Sequence, residues 1–412
     1  MAPSDSEPGL PPPGPGPVAG DARLEDLDIL RGFALLGVLL MNLHFWFRGP
    51  VERYALAAHP FPGRLNAWTD LLAMVVFNEK SVTLFAFLFG AGLTMQLERA
   101  QARNRAFGPY AARRLSALLA FGLLHVALLW VGDILYYYAL CGALLLPFLR
   151  RSAASTLRWG LLLTFLPLAA GLLLARPPAA TELSAWRTEM AAAAQASLQA
   201  YGNGTWIAAA GFRIHQFLRT AGELAGFVPY TLGLFLLGSA AWKRGVLRDP
   251  GAHLRLLRGL VVGGALALAA TAALTAWALA RGRFGQLYLG GGPAFLMLLV
   301  TPPLALGYAA GLLLLLRRPG ARRWLRALAP MGRMALTNYL LQSLAMTWLF
   351  NGYGLGLYGQ VGPFAGTLLL GGAFYLLQIT ISAWWLARFR FGPLEWIWRC
   401  LTYAARQPFR AA

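Results

Sequence analysis

Apolar runs of membrane-spanning length recur along almost the whole chain, and this repetition limits the fold more than any motif does. A bilayer core takes about 20 apolar residues as a helix. Inside lipid every backbone polar group must be paired within the protein, which leaves helices or closed barrels. Ten runs are readable, near 29–47, 80–97, 114–131, 133–149, 157–175, 224–242, 256–279, 293–316, 334–351 and 364–388. The chain is therefore predicted to be all-α, a polytopic membrane helix bundle of about ten transmembrane helices. Of its 412 residues, 58% are hydrophobic and only 13% are charged, against about a quarter charged in soluble domains.

The net charge of +20 resembles a nucleic-acid footprint until its distribution is followed. Connections between runs alternate between arginine-rich and arginine-poor. Arg99, Arg103, Arg105, Arg113 and Arg114 follow the second run, and Arg317, Arg318, Arg322, Arg323 and Arg326 follow the eighth, whereas the turns after the third and ninth carry no Lys or Arg. By the positive-inside rule both termini are predicted cytoplasmic. The charge thus reports topology, and the expected partner is a lipid bilayer with no nucleic acid. Arginine outnumbers lysine 34 to 2, which fits a GC-rich bacterial gene and a bacterial inner-membrane location. No cleaved signal peptide is expected. Cys141 and Cys400 fall in distant parts of the predicted topology, so neither a disulfide nor a metal motif follows.

Residues 1–22 are Pro/Gly-rich and read as a disordered cytoplasmic tail. Residues 23–388 form the membrane domain, and 389–412 an interfacial cytoplasmic tail with aromatic Trp396 and Trp398. The connection 48–79 is expected outside, with a short apolar helix over 68–77. The longest connection, 176–223, is expected outside with an Ala-rich helix over 184–200. Pro302 and Pro303 should kink the eighth run, and Gly307 and Gly311 follow at small-xxx-small spacing.

Polar residues in apolar runs carry the functional signal. Arg31 and Asn42 are eleven residues apart, so about 20° apart around a helix, and Asp28 is within about 60° of the same line. A membrane helix turns such a stripe toward protein or water. Asp28 and Arg31 read either as an ion pair anchoring the helix or as a grip on a substrate anion. Asn42 reads as an interhelical hydrogen bond or a site residue. The same phase places His44 off the stripe and at the interface. His59 in the outer loop is a candidate general base, or a solvated loop residue. Asp133 either contacts ligand or caps the fourth run, with His125 two turns earlier as a possible partner. Asn338 and Gln342 form one i, i+4 patch, for interhelical bonding or substrate binding. Arg99 with Arg103, and Arg113 with Arg114, set topology or hold a cofactor's phosphates.

Three stretches together resemble the YeiB family of bacterial inner-membrane proteins (domain of unknown function 418). They are Leu27–Asn42, the run from Gly332 through Asn338 to Ser343, and Gly392-Pro393-Leu394-Glu395-Trp396-Ile397-Trp398-Arg399 with Leu401-Thr402-Tyr403. Gly132-Asp133-Ile134-Leu135 fits it too. The resemblance implies that fold and, over 224–388, a YeiB-type part. The first third, 27–175, is similar at its start to the heparan-α-glucosaminide N-acetyltransferase group, through Asp28-Ile29-Leu30-Arg31-Gly32, Asn42, His59 and Asn66-Ala67-Trp68-Thr69-Asp70-Leu71. That likeness implies acetyl transfer from cytoplasmic acetyl-CoA to an acceptor across the membrane, with His59 as base and Asp70 in support. Its spacing from Asn42 to His59 is longer here, and Asn66-Ala67-Trp68 replaces that group's Trp-Asn-Gly.

The expectation is therefore an acyltransferase-like membrane protein. Its catalytic residues would be His59, Asp70 and Asn42, and its substrate-binding residues Arg31, Asp28, Asp133, Asn338 and Gln342. Arg99 and Arg103 would bind acyl-CoA as co-substrate; no covalent cofactor and no metal is expected. A small-molecule transporter or a non-catalytic scaffold are the alternatives.

Overall fold

The computed structural model describes residues 25–56, 60–176, 178–285, 287 and 292–410. The expected tail 1–22 and His59 lie outside the described residues. Among those described the chain is helical with no β-strand, apart from an isolated bridge between Phe389 and Arg410. In chain order the helices are α1 (Glu25–Asn42), α2 (Glu52–Leu56), α3 (Arg64–Leu72), α4 (Lys80–Ala102), α5 (Phe107–Leu128) and α6 (Leu135–Leu145). The middle of the chain forms α7 (Ala153–Leu174), α8 (Ala180–Ser197), α9 (Trp206–Ala225), α10 (Val228–Lys243) and α11 (Leu254–Ala280). After them come α12 (Gly292–Leu315), α13 (Pro319–Leu325), α14 (Ala329–Arg333), α15 (Ala335–Phe350), α16 (Gly371–Leu386) and α17 (Pro393–Tyr403).

All ten apolar runs are helical over most of their length. Among the described residues, seven helical segments are long and apolar enough to cross a membrane. The runs in α6, α10 and α15 make shorter helices of 11, 16 and 16 residues. The 202–223 stretch, read as connection, instead forms most of α9. A π-turn over Leu198–Asn203 follows α8, and the chain turns extended at Gly204 before α9.

The runs differ in what they face. In α1 with its following turn, 78% of the apolar window is buried, against 17% for α7 and 22% for α11. So α1 is the central helix and its polar stripe meets protein, as an acid and an arginine in a bilayer require. It packs against α4, α14, α15 and α16. The closest approach is at Gly332 of α14, where a Cβ would stand 1.8 Å from the Asp28 carbonyl oxygen. No side chain fits there without moving a backbone. Gly332→Val is therefore expected to destabilise the fold by about 1–3 kcal/mol or more, the usual range for overpacking. Thermal unfolding of detergent-solubilised protein checks this; an unchanged melting temperature would remove Gly332 from the core packing.

Gly307 of α12 meets Gly264 of α11 in the same way, a built Cβ lying 2.7 Å from the Gly264 Cα. The small-xxx-small spacing thus marks a true helix contact, carried by Gly307; at Gly311 the nearest atom is an ordinary 3.9 Å away.

Candidate functional site

The stripe on α1 forms one wall of a cavity of about 520 Å³. Asp28, Arg31, Leu35 and Val38 line it at alternating spacings of three and four residues, the helical period that keeps them on one face. At one end the lining is basic: Arg31, Arg99, Arg103, Arg105, Arg113, Arg114, Arg333 and Arg399, with Asp28 and Glu395 as the acids among the described residues. These arginines come from five separate segments, so the fold gathers at one end what the sequence distributes. Deeper, the lining turns apolar with Phe85, Leu88, Phe89, Leu118, Ile134 and Leu135, and it reaches Tyr138 and Tyr339. The chemistry suits an anion with an apolar arm.

Several lining groups are held by neighbours. Arg31 donates to the Asp28 carboxylate at 3.1 Å, and Asp28 is buried. The Arg113 guanidinium donates to the Thr402 carbonyl at 2.9 Å, and Arg114 lies 3.6 Å over the Trp398 ring. At the arginine end the lining includes α17, which Glu395 fixes in place. Its carboxylate accepts from the Thr337 backbone N–H at 2.9 Å and from the Thr337 hydroxyl at 2.6 Å, so a residue of α17 caps α15. Burial pushes the Glu395 carboxyl above its usual range, and these Thr337 bonds oppose that shift. Removing them by Glu395→Ala leaves a buried N–H unpaired and is expected to cost about 1–3 kcal/mol. An unchanged melting temperature for that variant would mean α17 is not held this way.

At the opposite end of α1 lies a second polar cluster. His44 Nε2 is 3.3 Å from Asp70 Oδ1, the Tyr54 hydroxyl donates to the same oxygen at 2.9 Å, and Arg48 donates to the Tyr54 oxygen at 2.5 Å. Arg48 also bonds the His44 and Val361 carbonyls. His44 and Asp70 are completely buried, and neither lines the cavity. His44 is thus no interfacial residue. The chain leaves α-geometry at Leu43 for a π-turn over Leu43–Phe47, whose wider turn resets the helical phase. Asn42, the last residue of α1, is buried on the stripe beyond the cavity's end.

Beside this cluster is a small pocket of about 30 Å³, lined by Trp46, Glu52, Trp130, Tyr201, Thr347 and Asn351 among others. Glu52 Oε2 is buried there without a hydrogen-bond partner among the described residues, and burial raises the Glu52 carboxyl above its ordinary range.

The remaining expected residues fall into two groups. Asn338 and Gln342 join α15 to α16: Asn338 donates to Ser382 Oγ at 2.9 Å and Gln342 to Gln378 Oε1 at 2.9 Å. Neither lines the cavity. Asp133 caps α6 by accepting the Tyr136 N–H at 2.9 Å, and its other oxygen meets His125 Nδ1 at 2.7 Å. Arg113 and Arg114, which the sequence offers as phosphate ligands beside Arg99 and Arg103, do line the cavity, whereas Arg105, Arg333 and Arg399 are not singled out by the sequence. The arginine-rich connections are visible, but nothing local says that α14 and α17 bring theirs to the same cavity.

The comparisons agree with this description. The model of the family described as protein of unknown function (DUF418) matches residues 241–405. The chain is 33% identical over 415 residues to uncharacterized protein YxaH of Bacillus subtilis (strain 168), covering 95% of this chain and 97% of the relative. It is 32% identical over 390 residues to uncharacterized protein YeiB of Escherichia coli (strain K12), covering 93% and 97%. A 39.9 kDa Bacillus acidopullulyticus protein encoded in the amylase 3′ region is 31% identical, covering 95% and 97%. No solved structure gives a significant match. The chain belongs to the YeiB-like DUF418 family.

Proposed function

From that membership and the chemistry of the cavity, we propose that the protein is a bacterial inner-membrane acyltransferase. It would move an acyl group from cytoplasmic acyl-CoA to an acceptor at the outer face. The observation that carries this reading is the cavity itself, basic at one end and apolar at depth. Guanidinium groups pair bidentately with phosphate oxygens, which suits the phosphates of CoA at Arg31, Arg99 and Arg103. The Phe85–Phe89 face and Leu35 then offer an apolar lane for the pantetheine arm and its thioester. By the positive-inside rule the arginine end is cytoplasmic, where acyl-CoA resides.

Both ends of the lane lie on α1. Beyond Val38 the same stripe continues to Asn42, two residues before His44 of the His44–Asp70 cluster. The likeness to sugar N-acetyltransferases at Asp28–Asn42 points to a hydroxyl or amine acceptor.

The test uses full-length protein in proteoliposomes with acetyl-CoA labelled in the acetyl group, supplied at the arginine face. Label leaving the donor faster than in protein-free liposomes, as ester, amide or acetate, is the expected result. Equal rates would sink the reading. A transporter is the second reading, favoured by pockets that approach one another from opposite ends without joining. It expects intact, doubly labelled donor, or another intact solute, to appear on the far side.

A further inference from the structure

Between the cavity and the small outer pocket lies a septum, and three separate elements cross it. On α15, Tyr339 lines the cavity and Thr347 the outer pocket; eight residues of helix are about 12 Å. On α1 and its π-turn, Val38 lines one and Phe47 the other. Between α5 and α6, Trp130 lines the outer pocket and Ile134 the cavity, with Gly132-Asp133 in between. His125 sits in this septum. Its ring centroid is 6.2 Å from that of Trp130 and 5.2 Å from that of Tyr339.

The local chemistry sets the tautomer. Asp133 Oδ1 accepts the Tyr136 N–H at 2.9 Å, and Oδ2 meets His125 Nδ1 at 2.7 Å. A carboxylate accepting on both oxygens assigns the Nδ1 proton to histidine, which directs the Nε2 lone pair away from Asp133. Nε2 is buried and has no hydrogen-bond partner among the described residues, while Tyr339, whose ring faces His125, lines the cavity. The arrangement is built closely: a Cβ at Gly122, one turn before His125, would stand 2.2 Å from the Tyr136 nitrogen and 2.6 Å from Asp133 Oδ1. Glycine there lets the start of α6 press Asp133 onto His125.

We propose that His125 is the general base of acyl transfer, positioned by Asp133, acting in the septum where donor and acceptor meet from opposite sides. The proposal rests on the acyl-CoA reading above. The acceptor's hydroxyl or amine proton passes to Nε2 as its oxygen or nitrogen bonds to the thioester carbonyl carbon. The Tyr339 hydroxyl donates to the developing oxyanion. The C–S bond then breaks, sulfur leaves with the electron pair, and Nε2 returns the proton to it. The products are the ester or amide and free CoA thiol, so histidine ends as it began.

The test uses full-length protein in nanodiscs, with labelled acetyl-CoA as donor and water and glycerol as probe acceptors. Acetyl release or transfer by His125→Gln and His125→Ala is expected to fall 10²–10⁴-fold, the range for losing a general base, while CoA binds within threefold of wild type. Retained CoA binding shows that the variants are folded. Asp133→Asn is expected to lower kcat with KM for acetyl-CoA unchanged, and Asp133→Glu to recover part of it. Wild-type turnover in His125→Gln overturns the proposal. So does a wild type that binds CoA but moves no acetyl above empty nanodiscs, a result that leaves the donor cavity standing. A wild type that does not bind CoA overturns the donor reading and the base assignment with it.

Discussion

Arg103→Glu is expected to weaken CoA binding by about 100-fold or more, measured by calorimetry on protein in nanodiscs. A hydrogen bond to a charged group contributes about 1.5–3 kcal/mol, and replacing the donor by a carboxylate adds repulsion between like charges at the exposed mouth. A loss of about 3 kcal/mol is already a factor above 100. Arg103 is the better position for reversal because Arg31 is bonded to buried Asp28, so that Arg31→Glu would also set two carboxylates together and threaten the fold. Arg31→Lys is the complementary probe: it keeps the charge and removes the planar fork, and a smaller loss of CoA affinity is expected. Both losses should shrink at high salt, where exposed charge interactions are screened. Unchanged affinity in Arg103→Glu would mean the basic mouth does not hold the donor phosphates.

Asp70→Ala is expected to cause the largest loss of stability of any change outside the helix contacts, about 3–5 kcal/mol, the cost of breaking a buried charged network by removing one partner. The Asp70 carboxylate binds the Tyr54 hydroxyl and faces His44, and Arg48 bonds Tyr54 from behind. All four side chains are buried. Without the carboxylate, the guanidinium of Arg48 loses its nearby negative charge. Asp70→Asn keeps the shape and one acceptor, so a smaller loss is expected. Thermal unfolding in detergent separates the two variants. If both melt with wild type yet lose acyl transfer, Asp70 belongs to the chemistry, as its match to the sugar acetyltransferase pattern implies, and not to the scaffold.

Where the chain follows regular helical geometry, its sequence was informative. The α1 stripe is readable from period alone, and Asp28 and Arg31 indeed face a cavity that also takes in Arg99 and Arg103. The pairing of His125 with Asp133 was visible as a spacing of two turns and as an acid needing a partner beside the bilayer. Reading failed where assembly is distant. His44 lies off the stripe as its angle implies, but it is buried and not interfacial, because the 48–79 connection folds over it and sets Asp70 and Tyr54 against its ring. The contribution of Arg333 and Arg399 could not be read, since α14 and α17 reach α1 only through tertiary packing. The Asn338/Gln342 patch was correctly seen as one face, but its partners on α16, Ser382 and Gln378, carry no local signal.

The central claim is that a donor entering from the arginine end reaches Val38 on the central helix. The direct measurement is thiol labelling of Val38→Cys in a Cys141→Ser, Cys400→Ser background. A charged, membrane-impermeant thiol reagent is applied separately to each face of sealed vesicles. Labelling from the arginine face alone, slowed at least tenfold by CoA, is the result expected. Labelling from the opposite face, or labelling that CoA leaves unchanged, would contradict the account.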